Sequence, residues 1–491
     1  MGQLNYSKTI KDLTGPKGLP LFGNLFQIQK EKIHQNLEDW AKEYGDFYKV
    51  NFPAAKIVVM ANPSHIDYLF KNRPDKFRRL SKMKDIMDEL GFYGTFSSEG
   101  EVWKKHRKVT QQTLSHKNVK NYFPLILKIG NRLEEYWEKE LDGENSITDY
   151  NISQDFMNAT IDLTTNLAFG YDLNTIHDRR EVTQQHISKI VPKLNERTNL
   201  PIPIWRYIKT SSDRDFDKSM NILKDIIGGF IEKNKSNIEQ FPERKENPTN
   251  FLEALLVSQD KEDPFTWEEI YGNIYTMLLT GEDTTANTLS WFAYYMAIHP
   301  SIQEKIRKEI FEVLGQEGDL KEIEDTKKLK YLYATIQEVL RMKPVTPLLY
   351  FQCNEDVVMG DTLFPKDTFF ITLVREGGMD EKNFFSPDQI IPERWLKKEG
   401  KCPFEGNHNE EVMHTFGGGP RYCPGKFLSE TEMMVFIVKM IKNYQIELSV
   451  PENQITEKYD FTMVVDNMKV KLEKLNFIKA DITTEGTLEQ K

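Results

Sequence analysis

Toward the end of the chain a cysteine sits in a glycine-dense loop, Phe416-Gly417-Gly418-Gly419-Pro420-Arg421-Tyr422-Cys423-Pro424-Gly425. A thiolate held this way needs a partner that stabilises negative charge, and a metal cation does that best. The glycines let the backbone approach closely and aim N–H groups at the sulfur. Arg421 offers a permanent cation to an anionic group nearby. The chain has three cysteines, Cys353, Cys402 and Cys423, widely separated and without a C-x-x-C pair, which excludes a zinc-finger pattern and a disulfide framework. A phosphate cradle fails as well. Five residues separate Gly419 from Gly425, not the four of a Walker loop, and Phe427 stands where Ser or Thr is needed. The remaining alternative is a buried cysteine acting as a small hydrophobe.

The loop resembles the haem-ligand signature of the cytochrome P450 superfamily, F-x-x-G-x-R-x-C-x-G, with Phe416, Gly419, Arg421, Cys423 and Gly425 at the defined positions. Three more constellations occur in the family's order. Thr280-Gly281-Glu282-Asp283-Thr284-Thr285 resembles (A/G)-G-x-(D/E)-T-(T/S), departing at Thr280, where Ala or Gly is usual. Read alone it is poor helix chemistry. Gly281 costs about 1 kcal/mol relative to Ala, and the Thr284 hydroxyl can bond back to the carbonyl of Thr280, as in a kinked core helix. Glu338 and Arg341 match E-x-x-R, and Pro392-Glu393-Arg394-Trp395 is close to P-E-R-F. Alone, an i, i+3 pair is an ordinary solvated surface pair. Trp103 and Arg107 match W-x-x-x-R; alone they belong to an amphipathic helix with a basic face.

The resemblance implies a mainly α (α+β) fold, a helix-rich triangular prism with small β-sheets. It implies a haem-thiolate monooxygenase that inserts one atom of O2 into a C–H or C=C bond of a lipophilic small molecule. Cys423 would be the axial ligand of haem b. Phe416, Gly417 and Gly425 would close around the sulfur, and Trp103, Arg107 and Arg421 would hold the propionates. Asp283 and Thr284 would deliver protons, and Glu338, Arg341 and Arg394 would lock the core beside the haem loop. Matching segments place Phe92, Tyr93, Thr95, Leu279, Thr280, Val345, Thr346, Leu349, Phe461 and Thr462 in the substrate pocket. The added methyl and hydroxyl of Thr280 bear on substrate fit. Electrons derived from NAD(P)H would come from a separate ferredoxin- or flavodoxin-type protein, docking on a basic face around Lys104, Lys105, Lys108, Lys117 and Lys120. A peroxide-driven peroxygenase and a non-enzymatic haem-containing sensor or carrier are the rivals, and both generally lack the acid–alcohol pair.

Composition agrees with a globular enzyme: 39% of residues are hydrophobic and 29% charged, and the net charge of -10 argues against nucleic acid as a partner. No apolar run is long enough for a membrane span, and residues 1–15 are polar without a signal-peptide core. A hinge-like Pro16-Lys17-Gly18-Leu19-Pro20 occurs without a preceding anchor. The expectation is a soluble, cytoplasmic, bacterial-type member with no fused reductase. Residues 1–478 would form one domain and 479–491 a polar, disordered tail.

The elements that must position these residues are mostly helical. Apolar spacing predicts helices over Ile33–Tyr44, Pro63–Lys71, Trp267–Ile298, Pro300–Leu314 and Tyr331–Met342, and helical patterns dominate Glu101–Leu200 and Asp213–Phe241. Alternation predicts two short strands in Phe47–Val59 around Pro53, and strands in Leu348–Val358 and Thr368–Val374. Arg78–Ser98 has no clean period and reads as a partly ordered loop region. Phe461–Leu475 reads as a closing hairpin.

Overall fold

The computed structural model describes residues 6–52, 55–200, 203–258, 263–396 and 407–475. Cys402, Pro53 and the tail 479–491 lie outside the described residues.

A 32-residue helix, Trp267–Ile298, runs about 48 Å through the centre. Its start is set by Thr266, whose hydroxyl accepts from the Glu269 N–H while the Glu269 carboxylate accepts from the Thr266 N–H. Both of its flanks are apolar, so it is buried nearly all round. It crosses Ile152–Phe169 at very close range: a Cβ on Gly281 would fall 2.7 Å from the Thr164 hydroxyl oxygen. Gly281 is thus required by helix packing as well as tolerated by the local pattern.

The helix after the cysteine, Lys426–Asn443, is buried along most of its length and packs against His116–Leu141. Its first turn fixes where the cysteine loop must end.

A five-stranded sheet stands to one side, in the order Phe47–Phe52, Ala55–Met60, Phe369–Leu373, Leu348–Cys353, Phe77–Arg79. All neighbours are antiparallel except Ala55–Met60 with Phe369–Leu373. Leu348–Cys353 carries Leu349 and Phe351 to the central cavity described below.

Three expectations are corrected. The stretch Arg78–Ser98 begins inside the strand Phe77–Arg79 and continues into a helix, Ser81–Glu89, which is held by the burial of Met83, Ile86 and Met87 in the core. The helical stretch Glu101–Leu200 is interrupted by the strand Ser146–Tyr150. The last hairpin begins earlier than expected, pairing Thr456–Asp460 with Thr462–Asp466 around Phe461. Val470–Lys474 leaves it to pair with Tyr444–Leu448. The one-residue turn works because Phe461 takes a positive φ of 69°.

Among the described residues, no helix is long and apolar enough to cross a membrane.

Candidate active site

A cavity of about 300 Å³ lies between the long helix, the cysteine loop and the helix Gly100–Thr113. The loop is folded back on itself by the Cys423 N–H, which donates to the Phe416 carbonyl at 2.8 Å. Gly419 has a φ of 59°, and a Cβ there would lie 2.1 Å from the Phe70 carbonyl oxygen, so only glycine fits. Phe416, Gly417, Cys423 and Gly425 all line the cavity. Burial pushes the Cys423 thiol up, against the lowering effect of the Gly425 and Lys426 N–H groups and the Arg107 cation. Left alone this sulfur would keep its proton; a metal cation reverses that balance. Cys353, by contrast, is buried in the sheet core, its thiol pushed up to about 12, and it does not reach the cavity.

Four arginines line the same cavity: Arg73, Arg79, Arg107 and Arg421. One carboxylate, Glu99, serves three of them. It pairs with Arg421, lies 3.5 Å from Arg73 Nη2, and accepts from the Arg79 backbone N–H at 2.9 Å. Arg421 also donates to the Ser98 carbonyl at 2.8 Å and stacks over the Trp103 ring at 4.8 Å. Arg107 stacks over Tyr422 at 4.8 Å, and its buried Nε and Nη2 have no hydrogen-bond partner. Burial and mutual repulsion hold Arg73 well below the ordinary guanidinium range and bring Arg79 down to about 9. Such a surplus of buried cations calls for a bound anion.

The long helix presents a ladder of threonines to the cavity. Thr276, Thr280, Thr284 and Thr288 each donate to the carbonyl four residues earlier, at 2.7, 2.8, 3.0 and 2.9 Å. Asp283 is turned away from this row. Its carboxylate accepts from Asn287 Nδ2 at 2.9 Å and from the Thr462 hydroxyl, and it is absent from the cavity wall. Burial pushes Asp283 up to about 6, against the lowering effect of these two donors. Glu432, on the helix after the cysteine, does face the cavity. It is hydrogen-bonded to Thr285, its Oε2 has no partner, and burial pushes it up to about 8. The signal for it in the sequence is an acid, the second of Glu430-Thr431-Glu432, directly abutting the apolar run Met433-Met434-Val435-Phe436.

A family model described as Cytochrome P450 matches residues 13–472. The chain belongs to the cytochrome P450 family. Cytochrome P450 27C1 of Danio rerio is 26% identical over 467 residues, covering 92% of this chain and 84% of the relative. The mitochondrial cholesterol side-chain cleavage enzyme of Ovis aries is 26% identical over 450 residues, covering 87% and 82%. The chloroplastic protein LUTEIN DEFICIENT 5 of Arabidopsis thaliana is 25% identical over 462 residues, covering 91% and 75%. All three come from eukaryotes, so they give no support to a bacterial-type member.

As a cytochrome P450 the protein is a haem monooxygenase. It uses haem b on a cysteine thiolate, O2, and electrons from a redox partner. The residues present fit that group: the Cys423 thiol faces the cavity, and across the cavity there is more guanidinium charge than Glu99 can balance, suited to two propionates.

The P450 core holds Glu338, Arg341 and Arg394 in one buried cluster. Arg341 Nε and Nη2 donate to Glu338 at 2.9 and 2.8 Å, and Arg394 Nε donates at 2.9 Å. Sequence reasoning missed two further donors, Trp395 Nε1 at 2.8 Å and the Ile391 N–H at 3.0 Å. Burial raises the Glu338 pKa, but these partners outweigh it and the net shift is downward.

Of the expected pocket residues, Thr95, Thr280, Val345, Thr346 and Leu349 line the cavity. Phe92, Tyr93, Leu279, Phe461 and Thr462 do not. Phe92 is buried against Tyr275, with ring centroids 5.4 Å apart, and Tyr93 stands edge-on to His106 at 5.9 Å. Leu279 is buried in the main core, about 100° around the helix from Thr280. Phe461 makes the hairpin turn, and Thr462 is buried on Asp283. Arg73 and Arg79 were missed, although Arg73-Pro74 and Arg78-Arg79 form a basic run in the sequence.

The expected basic face is smaller than the lysine count suggests. Lys104 pairs with Glu101 at 2.6 Å, Lys105 with Asp263 and Glu269 at 2.9 Å each, and Lys120 with Glu324 at 2.5 Å. Among the described residues, exposed Lys108 and Lys117 have no ion-pair partner.

Proposed function

We propose that this P450 inserts one oxygen atom from O2 into a C–H bond, or across a C=C bond, of a lipophilic small molecule, with Cys423 as the haem ligand. The observation that carries this reading is the placement of the Cys423 sulfur in one cavity with four arginines. Thiolate-bound haem supplies the oxygen chemistry. Arg107 and Arg421, with Arg73 and Arg79 beside them, bind the propionates, and Trp103 supports Arg421 by stacking. Thr284 presents a hydroxyl to the cavity, and Asp283, one residue before it, exchanges protons with the hairpin side. Apolar side chains such as Met277, Val345 and Leu349 hold a lipophilic substrate and exclude water.

The experiment is the absorption spectrum of the reduced, carbon-monoxide-bound protein. A strongly red-shifted Soret band is expected for the native protein and an ordinary haem–CO band for Cys423→His. An ordinary band from the native protein would overturn the assignment.

Electrons come, in this reading, from a separate ferredoxin- or flavodoxin-type protein that reads Lys108 and Lys117. Support for a peroxide-driven alternative would be turnover with peroxide matching turnover with reduced nicotinamide and redox proteins. The cytoplasmic placement rests on the lack of a membrane-spanning helix among the described residues, whereas two relatives are mitochondrial or chloroplastic by name. Fractionation of the source cells tests it.

A further inference from the structure

The threonine ladder contributes oxygen atoms to the cavity and keeps its hydrogens. Thr276 Oγ1 donates to the Gly272 carbonyl at 2.7 Å, and Thr280 Oγ1 donates to the Thr276 carbonyl at 2.8 Å. A hydroxyl has one hydrogen and two acceptor sites. With the hydrogen spent inside the helix, each of these oxygens is left able to accept. Both line the cavity, and at 1.5 Å rise per residue they stand roughly 6 Å apart along the helix. Near them, the Thr95 and Thr110 hydroxyls stand 2.7 Å apart, one donating to the other, and the remaining hydrogen goes to Asn273 Oδ1 or to the His106 carbonyl, so neither is free for a ligand.

We propose that Thr276 and Thr280 form an acceptor rail that selects, among lipophilic molecules, a substrate bearing a hydroxyl group. Resting on the monooxygenase reading above, this assigns the substrate's chemical class. A ketone or ether of the same frame finds no free hydrogen on the rail and leaves its oxygen unpaired. Met277, Val345, Leu349 and Phe351 give the same cavity an apolar wall that holds the frame. Thr280, the position at which the sequence departs from the family pattern, thereby becomes a specificity residue.

The test uses the haem-loaded protein and two probes of one shape, cyclododecanol and cyclododecanone, with dissociation constants from calorimetry. The alcohol is expected to bind about three- to tenfold more tightly. The preference should shrink in Thr276→Val, return in Thr276→Ser, and vanish in the Thr276→Val/Thr280→Val double variant. Equal binding of the two probes by native protein would overturn the rail, as would a preference for the ketone or one that survives in the double variant. The carbon-monoxide spectrum of each sample reports the thiolate-bound haem separately, so failure of the rail and failure of the monooxygenase reading are distinguishable.

Discussion

The carboxylate of Asp283 accepts a hydrogen bond from the hydroxyl of Thr462, 179 residues further along the chain, and not from its neighbour Thr284. The acid of the acid–alcohol pair is therefore held from outside the helix by the turn of a β-hairpin. Asn287 closes the arrangement, donating to Asp283 at 2.9 Å and to the Thr462 oxygen at 3.2 Å.

Thr462→Val removes a donor that lowers the Asp283 pKa from where burial would place it. The pKa, already about 6, is expected to rise by a further ~0.5–1 unit. The pH at which coupled turnover half-appears should move up by the same amount. An unmoved profile of product formed per reduced nicotinamide would mean that Asp283 does not control proton delivery.

Thr284→Ala keeps the helix and removes the cavity-facing hydroxyl. Coupled turnover should fall by on the order of 10²-fold, with the electrons appearing as hydrogen peroxide. Peroxide and product are measured together; unchanged coupling would remove Thr284 from the proton path.

Arg73 has one distant carboxylate contact at 3.5 Å, and its Nε is unpaired. Arg73→Met should therefore act in opposite directions on two measurements. Without haem, the variant should melt higher than native protein, because a buried cation with only a long carboxylate contact is gone. With haem, it should lose the group faster to an acceptor such as apomyoglobin. Haem loss at the native rate would exclude Arg73 from propionate binding.

Glu338→Ala leaves Arg341 and Arg394 buried without their shared carboxylate, at a cost of about 3–5 kcal/mol by denaturant unfolding. The folded-state pKa of Glu338 is depressed. Its contribution to stability is thus present above the ordinary glutamate range and lost as pH falls through the depressed value.

Glu432 has the opposite sign. Its carboxyl, ordinarily near 4.5, is pushed up to about 8 in the folded protein. The folded state holds that proton more tightly than the unfolded chain, so the linked stability is present at low pH and is lost as pH rises from 4.5 through about 8. Glu432→Gln should flatten the decline of melting temperature over that interval. A slope equal to that of native protein would show that Glu432 does not titrate there.

Much of the site could be read from spacing. Cys423, Arg421 and Phe416 are local to one loop, and Thr284 and its back-bond to Thr280 are local to one helix. Glu338 and Arg341 are three residues apart, so their pairing follows from helix geometry. Local periodicity also located the long helix, Trp267–Ile298, and Pro300–Leu314 to the residue. It failed at Ser81–Glu89, where a short helix is held by core contacts of Met83, Ile86 and Met87 more than by its own pattern.

The sequence by itself determined the family, the cysteine loop and the order of the helices, because those depend on residues close together along the chain. Only the tertiary structure decided which distant groups meet. It turned Phe92 and Leu279 into the core and set Thr462 on Asp283. It brought Arg73 and Arg79 to the wall that Arg107 and Arg421 also line, and it aimed Glu432 into the cavity. Contacts of this kind depend on the rotation of each helix, the register of each strand and the turn that joins them, and no local pattern specifies all three at once.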